Sequence, residues 1–248
     1  MPRKATALPR HITVEGIDIE IIRKSVKTLR LGIYPPEGRV RASVPLSVGD
    51  DAVRRMVLNK LEWVRRHQSR LAAQPRPPRR ELVNGETIHL LGQAYTLRVT
   101  ELPGIPRATL NETEGVLDLR LRPGSIRQQR LNLLLKWYRE QLHMRVPPLL
   151  EIWQPTIGVQ AAQWGIRRMT SKWGSCNIRA RRICLNLELI TRPRQCLEYV
   201  LVHELVHLLE RRHNAHFKSL MTLFLPDWRQ CRRLLNESPL DFEDYGAE

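Results

Sequence analysis

The sequence predicts an α+β protein, with a β-rich first half that carries one long helix and a helix-rich second half built around an apolar helix. Three observations carry this. Apolar and polar residues alternate with period two in ITVEGIDIEII, VKTLRLGIY and RVRASV, all within the first 45 residues. Helical spacing begins near residue 50 and returns from about residue 125. The chain has 248 residues, 42% hydrophobic and 27% charged, which suits a folded chain able to bury a core and excludes wholesale disorder.

In order along the chain, the three alternating runs read as short strands separated by turns, the last following Pro35-Pro36-Glu37-Gly38. Asp50 and Asp51 then open a helix near residues 50–73, with Val53, Val57, Leu61 and Val64 on one face and Arg54, Arg55, Arg65, Arg66 and Arg70 opposite. PRPPRR, residues 75–80, cannot continue a helix and reads as a connector. ETIHLLGQAYTLRVTE reads as a hairpin turning near Gly92-Gln93, and VLDLRLR as a further strand. A helix is expected from about residue 125 to 146, stopped by Pro147 and Pro148. WGIRRM and ICLNLELI read as strands flanking the polar turn SKWGSCNIRARR. Arg192-Pro193 opens the apolar helix; a further helix from about Asn214 is checked at Pro226, and a last one reaches about Leu235. No internal repeat is visible.

Charge is the compositional outlier. Against 25 acidic residues stand 41 basic ones, a formal net charge of +16, of which +11 falls in residues 1–80, +1 in 81–160 and +4 in 161–248. A basic first third would concentrate anionic partners such as nucleic acid or nucleotides. The basic start lacks a signal-peptide core, and no run approaches the ~20 apolar residues of a membrane span, so the protein is expected to be cytoplasmic. Cys176, Cys184, Cys196 and Cys231 form no CxxC pair and are expected to be free thiols rather than a disulfide framework.

His203-Glu204-Leu205-Val206-His207 interrupts the apolar helix YVLVHELVHLL. Residues four apart share a helix face, so both imidazoles can meet one Zn2+, while Glu204 can act as general base on a water that the ion acidifies. Three titratable groups buried there without partners would cost several kcal/mol, and a metal accounts for all three. His213, six residues after His207, is favoured as third ligand. It would be rotated by roughly 240° on a continuing helix, so the helix must end around residues 210–212 and the chain bend back. Glu210 replaces the glycine that makes this bend in HExxHxxGxxH peptidases. Asn214 could cap the next helix, and His216 or Glu210 are the alternative ligands.

MTSKWGSCN, ICLNLELI, YVLVHELVHLLERRHNAHF and LPDWRQCRRLL together closely resemble the YgjP-like metallopeptidase family, related to SprT and Spartan-type zinc metalloproteases. The resemblance follows nearly the whole chain in order of elements and is specific over residues 169–236. It implies a compact zincin-like catalytic domain, with a small sheet beside the active-site helix. It also implies a site of His203, His207 and His213 with Glu204 as catalytic acid/base. His216 stands where that family is expected to carry Lys or Arg, which favours His213 as ligand. The expected organisation is a basic extension (residues 1–10), a β-rich region (11–122), the zincin-like domain (123–236) and an acidic tail (237–248).

Trp173, Ser175, Asn186 and Tyr199 are candidate substrate-binding residues; the Trp173-Gly174-Ser175-Cys176 turn lies near the catalytic helix in the resembling family. Tyr199, one turn before His203, could donate to an oxyanion, although packing is the more ordinary role. Cys176 could cap the metal in a latent form, with a buried thiol the plainer reading. Ser171 and Ser175 lack a nucleophile elbow. The expected activity is zinc-dependent peptide hydrolysis, one Zn2+ per chain, with the edge of ICLNLELI pairing an extended substrate. Two other readings stand beside it: a metal-dependent nucleoside triphosphate pyrophosphohydrolase, and a nucleic-acid-associated protease or binding module that uses the basic helix and Trp63.

Overall fold

Two strands open the first unit, β1 (Arg10–Val14) and β2 (Ile17–Lys24), joined by a two-residue turn in which Glu15 (φ 48°) and Gly16 (φ 76°) are both left-handed. That conformation matches the twist of a tight antiparallel pair. With β3 (Arg30–Tyr34) and β4 (Arg39–Pro45) they make a sheet of order β1-β2-β4-β3, in which β2 and β4 run parallel. Its inward positions, including Ile19, Ile21, Val40, Ala42 and Val44, are buried with Val53, Val57 and Val64. The computed structural model describes residues 10–34, 37–73, 80–169 and 171–237. Most of the expected basic extension, most of PRPPRR and most of the acidic tail therefore lie outside the described residues.

The single helix expected over residues 50–73 is two, α1 (Asp50–Asn59) and α2 (Leu61–Ala72), broken at Lys60 (φ −118°, ψ 15°). Hydrogen bonding resumes at once, Val64 N donating to the Lys60 carbonyl (2.9 Å), so one apolar stripe faces the sheet across the break. Arg54, Arg55, Arg65, Arg66 and Arg70 are exposed, as their spacing predicts. Trp63 is also exposed, with His67 against its ring and the Lys60 ammonium 5.9 Å from its centroid.

The chain divides into compact units at residues 1–78 and 79–248. The second unit begins with β5 (Thr87–Leu90), β6 (Gln93–Glu101), β7 (Arg107–Asn111) and β8 (Val116–Leu121), in the order β5-β6-β8-β7. This sheet was expected to belong with the N-terminal region. Instead Ile88, Leu97, Leu117 and Leu119 join the same core as the helices that follow. It also repeats the first unit: an antiparallel hairpin, a parallel central pair, an antiparallel edge strand and then a helix. Even the hairpin turn recurs, with Leu91 (φ 50°) and Gly92 (φ 83°) in the places of Glu15 and Gly16. The sequence hides this repeat because the two copies share a pattern of inward positions, not residues.

The helix expected to stop at Pro147 continues as α3 (Arg127–Ile157) through Pro147, Pro148 and Pro155. An interior proline costs about 3 kcal/mol through a lost N–H and a clash. Leu131, Leu134, Tyr138, Leu142, Val146 and Leu150 form one buried stripe across the prolines and hold both halves to the same core. The residues four before the prolines, His143, Met144 and Glu151, are exposed, so water can satisfy their orphaned carbonyls.

The third sheet has β9 (Gln163–Arg167), β10 (Gly174–Asn177) and β11 (Arg182–Asn186) in the order β10-β11-β9. The strand expected through residue 190 ends at Asn186, whose side-chain oxygen accepts from Glu188 N (3.3 Å) and starts a 3-10 turn, Leu187–Thr191. This turn buries Leu187, Leu189 and Ile190 together, which a strand's alternation does not allow. Because β11 is central, it offers no free edge of the kind anticipated there; the edge strands of this sheet are β10 and β9. Three helices close the unit: α4 (Arg194–Val206), α5 (Ala215–Phe224) and α6 (Trp228–Glu237). No helix is long and apolar enough to cross a membrane among the described residues.

Candidate metal centre and active site

Helix α4 is buried on nearly every side, so its position is set by packing. Its start is braced by the β5–β6 turn: Leu91 N donates to the Ile190 carbonyl (2.6 Å), and a Cβ on Gly92 would lie 3.1 Å from Pro193 Cα. Further along, Trp153 Nε1 on α3 donates to Glu198 Oε1 (2.9 Å). The helix ends at Val206, about a turn earlier than the spacing argument required, and the chain bends through residues 207–214. Asn214 caps α5 as expected, its side chain accepting from Phe217 N (2.9 Å).

This bend returns His213 to α4. Its Nε2 lies 3.0 Å from Nε2 of His203 and 3.0 Å from Nε2 of His207, and the ligand atoms of the three residues are all within 4.8 Å of one another. Tetrahedral ligand nitrogens with metal bonds of 2.0–2.1 Å stand about 3.3 Å apart, so the three rings fit one ion. Three convergent imidazole nitrogens are a donor set that a cation satisfies. His207 Nδ1 donates to the Glu210 carbonyl (3.1 Å), which leaves Nε2 as the lone-pair nitrogen in the neutral ring. Burial, with His207 and His213 adding to it, lowers the His203 pKa to about 3; burial lowers that of His207 as well. Both rings are held neutral, the form a metal requires.

Of the alternative ligands, His216 is exposed and outside the cluster, and Glu210 acts through its backbone while its carboxylate accepts from Arg212 N (2.8 Å). Phe217 went unread in the sequence. Its ring is buried under all three imidazoles, with centroids 4.9, 4.7 and 4.8 Å from those of His203, His207 and His213. An aromatic residue four after His213 on the next helix was the one available signal.

Glu204 is 5% exposed, and burial pushes its carboxyl up to about 8 despite the nearby Lys172 charge. Strand β10 presses on it: a Cβ on Gly174 would lie 2.6 Å from Glu204 Oε1 and 2.9 Å from Val200 Cγ1. Only glycine leaves the carboxylate its place. Trp173, Ser175 and Tyr199 line the same cavity of about 1050 Å³ as Glu204 and the histidines. Tyr199 is buried edge-on to His203 and stacked on Trp228, and burial pushes its hydroxyl up to about 12.

Asn186 does not line the cavity, which corrects the expectation for it. It is fully buried, its amide donating to the carbonyls of Met169 (2.8 Å) and Lys172 (2.7 Å), so it holds the approach to β10 rather than a substrate. The Cys176 thiol is pushed up to about 11 by burial and by Glu204, which keeps it protonated and unlike a metal-capping thiolate. All four cysteines are free.

Among solved structures, the metallopeptidase zymogen abylysin of Pyrococcus abyssi is similar to 38% of this chain and 94% of its own, at 21% identity and a TM-score of 0.34, too slight a superposition to add to the geometry. No curated protein matches the chain. The YgjP-like metallopeptidase domain matches residues 27–238, and the chain therefore belongs to the YgjP-like metallopeptidase family.

Proposed function

We propose that the protein is a zinc-dependent peptidase in which His203, His207 and His213 hold one Zn2+ and Glu204 is the general base. The observation that carries this reading is the convergence of three imidazole Nε2 atoms beside a buried, unusually basic carboxylate in one cavity. An all-imidazole donor set suits zinc better than Mg2+ or Ca2+, which take oxygen ligands. When bound, the ion supplies Lewis-acid polarisation and a lowered pKa for water.

The chain supplies the rest. Glu204 accepts a proton from the attacking water on its carboxylate and returns it to the leaving amine nitrogen, a role suited to a group tuned well above the ordinary carboxylate range. Gly174 keeps that carboxylate in place, and Phe217 holds the three rings in register. An extended peptide can pair with the free edge of β10, which borders the cavity. Tyr199 braces His203. A phosphoanhydride hydrolase built on Mg2+ finds little here, because Glu204 is the sole carboxylate among the cavity's described lining residues. The exposed arginines of α1 and α2 offer charge with the exposed Trp63 beside them, and carry no nucleic-acid assignment.

The test is cleavage of an unstructured protein by zinc-loaded protein and by its Glu204→Gln variant. The variant is expected to keep the metal and lose at least ~100-fold in turnover, the scale of general-base catalysis. Full activity in the variant would contradict the assignment.

A further inference from the structure

We infer that the peptides taken by this site are acidic, with carboxylate side chains within a few residues of the scissile bond on both sides. The inference rests on the peptidase reading and deepens it. Four basic residues line the cavity from four separate places: Lys172 ahead of β10, Arg179 in the turn after β10, Arg211 in the bend after α4, and Arg232 on α6. The cavity's single described carboxylate, Glu204, is buried and committed to the chemistry.

None of these four side chains has a hydrogen bond or ion pair with a described residue. Other arginines of the chain are matched with carboxylates: Arg23 with Asp50 (2.6 Å), Arg41 with Glu20 (2.8 Å) and Arg130 with Glu101 (3.8 Å). Four cations without a hydrogen bond or ion pair among the described residues, around one partly enclosed volume, raise its potential and concentrate anions there. Their placement says which anion. Lys172 and Arg179 each stand two residues beyond an end of β10, so an extended chain on that free edge runs from one cation to the other. Arg211 and Arg232 face it from the helical side of the cavity. Charges spread along a strand's length suit several separate carboxylates rather than one compact triphosphate, and a nucleotide has no backbone to pair with the edge.

The experiment uses the full chain, loaded with Zn2+, and a panel of decapeptides identical except for flanking residues that are all Glu, all Ser or all Lys. The Glu series should show kcat/KM at least about tenfold above Ser, with Lys lowest, and the advantage should shrink strongly at about 0.5 M NaCl as screening sets in. Fluorescence anisotropy of the same peptides on the metal-free protein should give the same order of affinity. Charge reversal by Arg179→Glu together with Arg211→Glu, both at exposed positions, should invert the order of Glu and Lys peptides. Equal rates and affinities across the panel would overturn the inference and leave the peptidase reading standing. No cleavage of any peptide, with pyrophosphate released from nucleoside triphosphates, would overturn both.

Discussion

Glu204 acquires its basicity from the same burial that costs stability. Its carboxyl is pushed up to about 8 from an ordinary 4.5, so as pH rises from 4.5 the unfolded chain releases a proton that the folded chain retains until about 8. Glu204's own contribution to the stability of the metal-free protein therefore falls over that window, by on the order of a few kcal/mol, while His203 and His207, held neutral in the fold, act in the opposite sense up to about pH 6.5. Denaturant unfolding of metal-free Glu204→Gln should show it more stable than the parent at pH 8, with the gain vanishing near pH 4.5; a gain that does not depend on pH would contradict this. Gly174 sets the position of the same carboxylate. Gly174→Ala is expected to lower turnover at least about tenfold while retaining metal, because the new methyl would lie 2.6 Å from Glu204 Oε1 and force the carboxylate to shift. Of this local chemistry, HExxH was legible because a helix fixes the geometry of residues four apart. His213 was legible by its distance along the chain, and the resemblance strengthened it. The roles of Phe217 and Gly174 were not, since each arises from contact between elements.

At the scale of elements, helix α4 is held by what surrounds it, and its partners were the harder part of the sequence to read. Phe217 on α5 supports all three imidazoles, so Phe217→Ala should lower metal affinity about 10–100-fold, as loss of an outer-shell partner does, and destabilise the fold by about 3–5 kcal/mol. Calorimetric zinc titration and thermal unfolding read the two effects; metal affinity unchanged in a folded variant would remove Phe217 from the site. Besides the helix split at Lys60 and strand β10 inside the segment read as the polar turn SKWGSCNIRARR, two more elements were misread for physical reasons. Local propensity ended α3 at Pro147, whereas the buried stripe from Leu131 to Leu150 outweighs that penalty. Periodicity carried β11 on to residue 190, whereas a single side-chain cap at Asn186 turns the chain aside. Strand β7 went unread because it is an edge strand with no fully buried residue, leaving little apolar signal.

At the scale of the whole molecule, two copies of a four-stranded sheet followed by helix are built on separate cores. The α+β class and most strands were legible from period-two alternation. The repeat was not, because fold topology depends on which strands pair and alternation is silent on pairing. The metal ligands, Glu204, Gly174 and Phe217 all lie in residues 79–248. A chain of residues 80–248 should accordingly fold and bind Zn2+ with affinity within a few-fold of the full protein; a fragment that folds but binds no zinc would show that the first unit completes the site. The central claim is that three histidines hold one metal and Glu204 acts beside it. Elemental analysis of the purified chain and two variants tests it most directly. One zinc per chain is predicted for the parent and for Glu204→Gln, with stoichiometric binding lost in His213→Ala; no stoichiometric zinc in the parent, or full retention in His213→Ala, would contradict it.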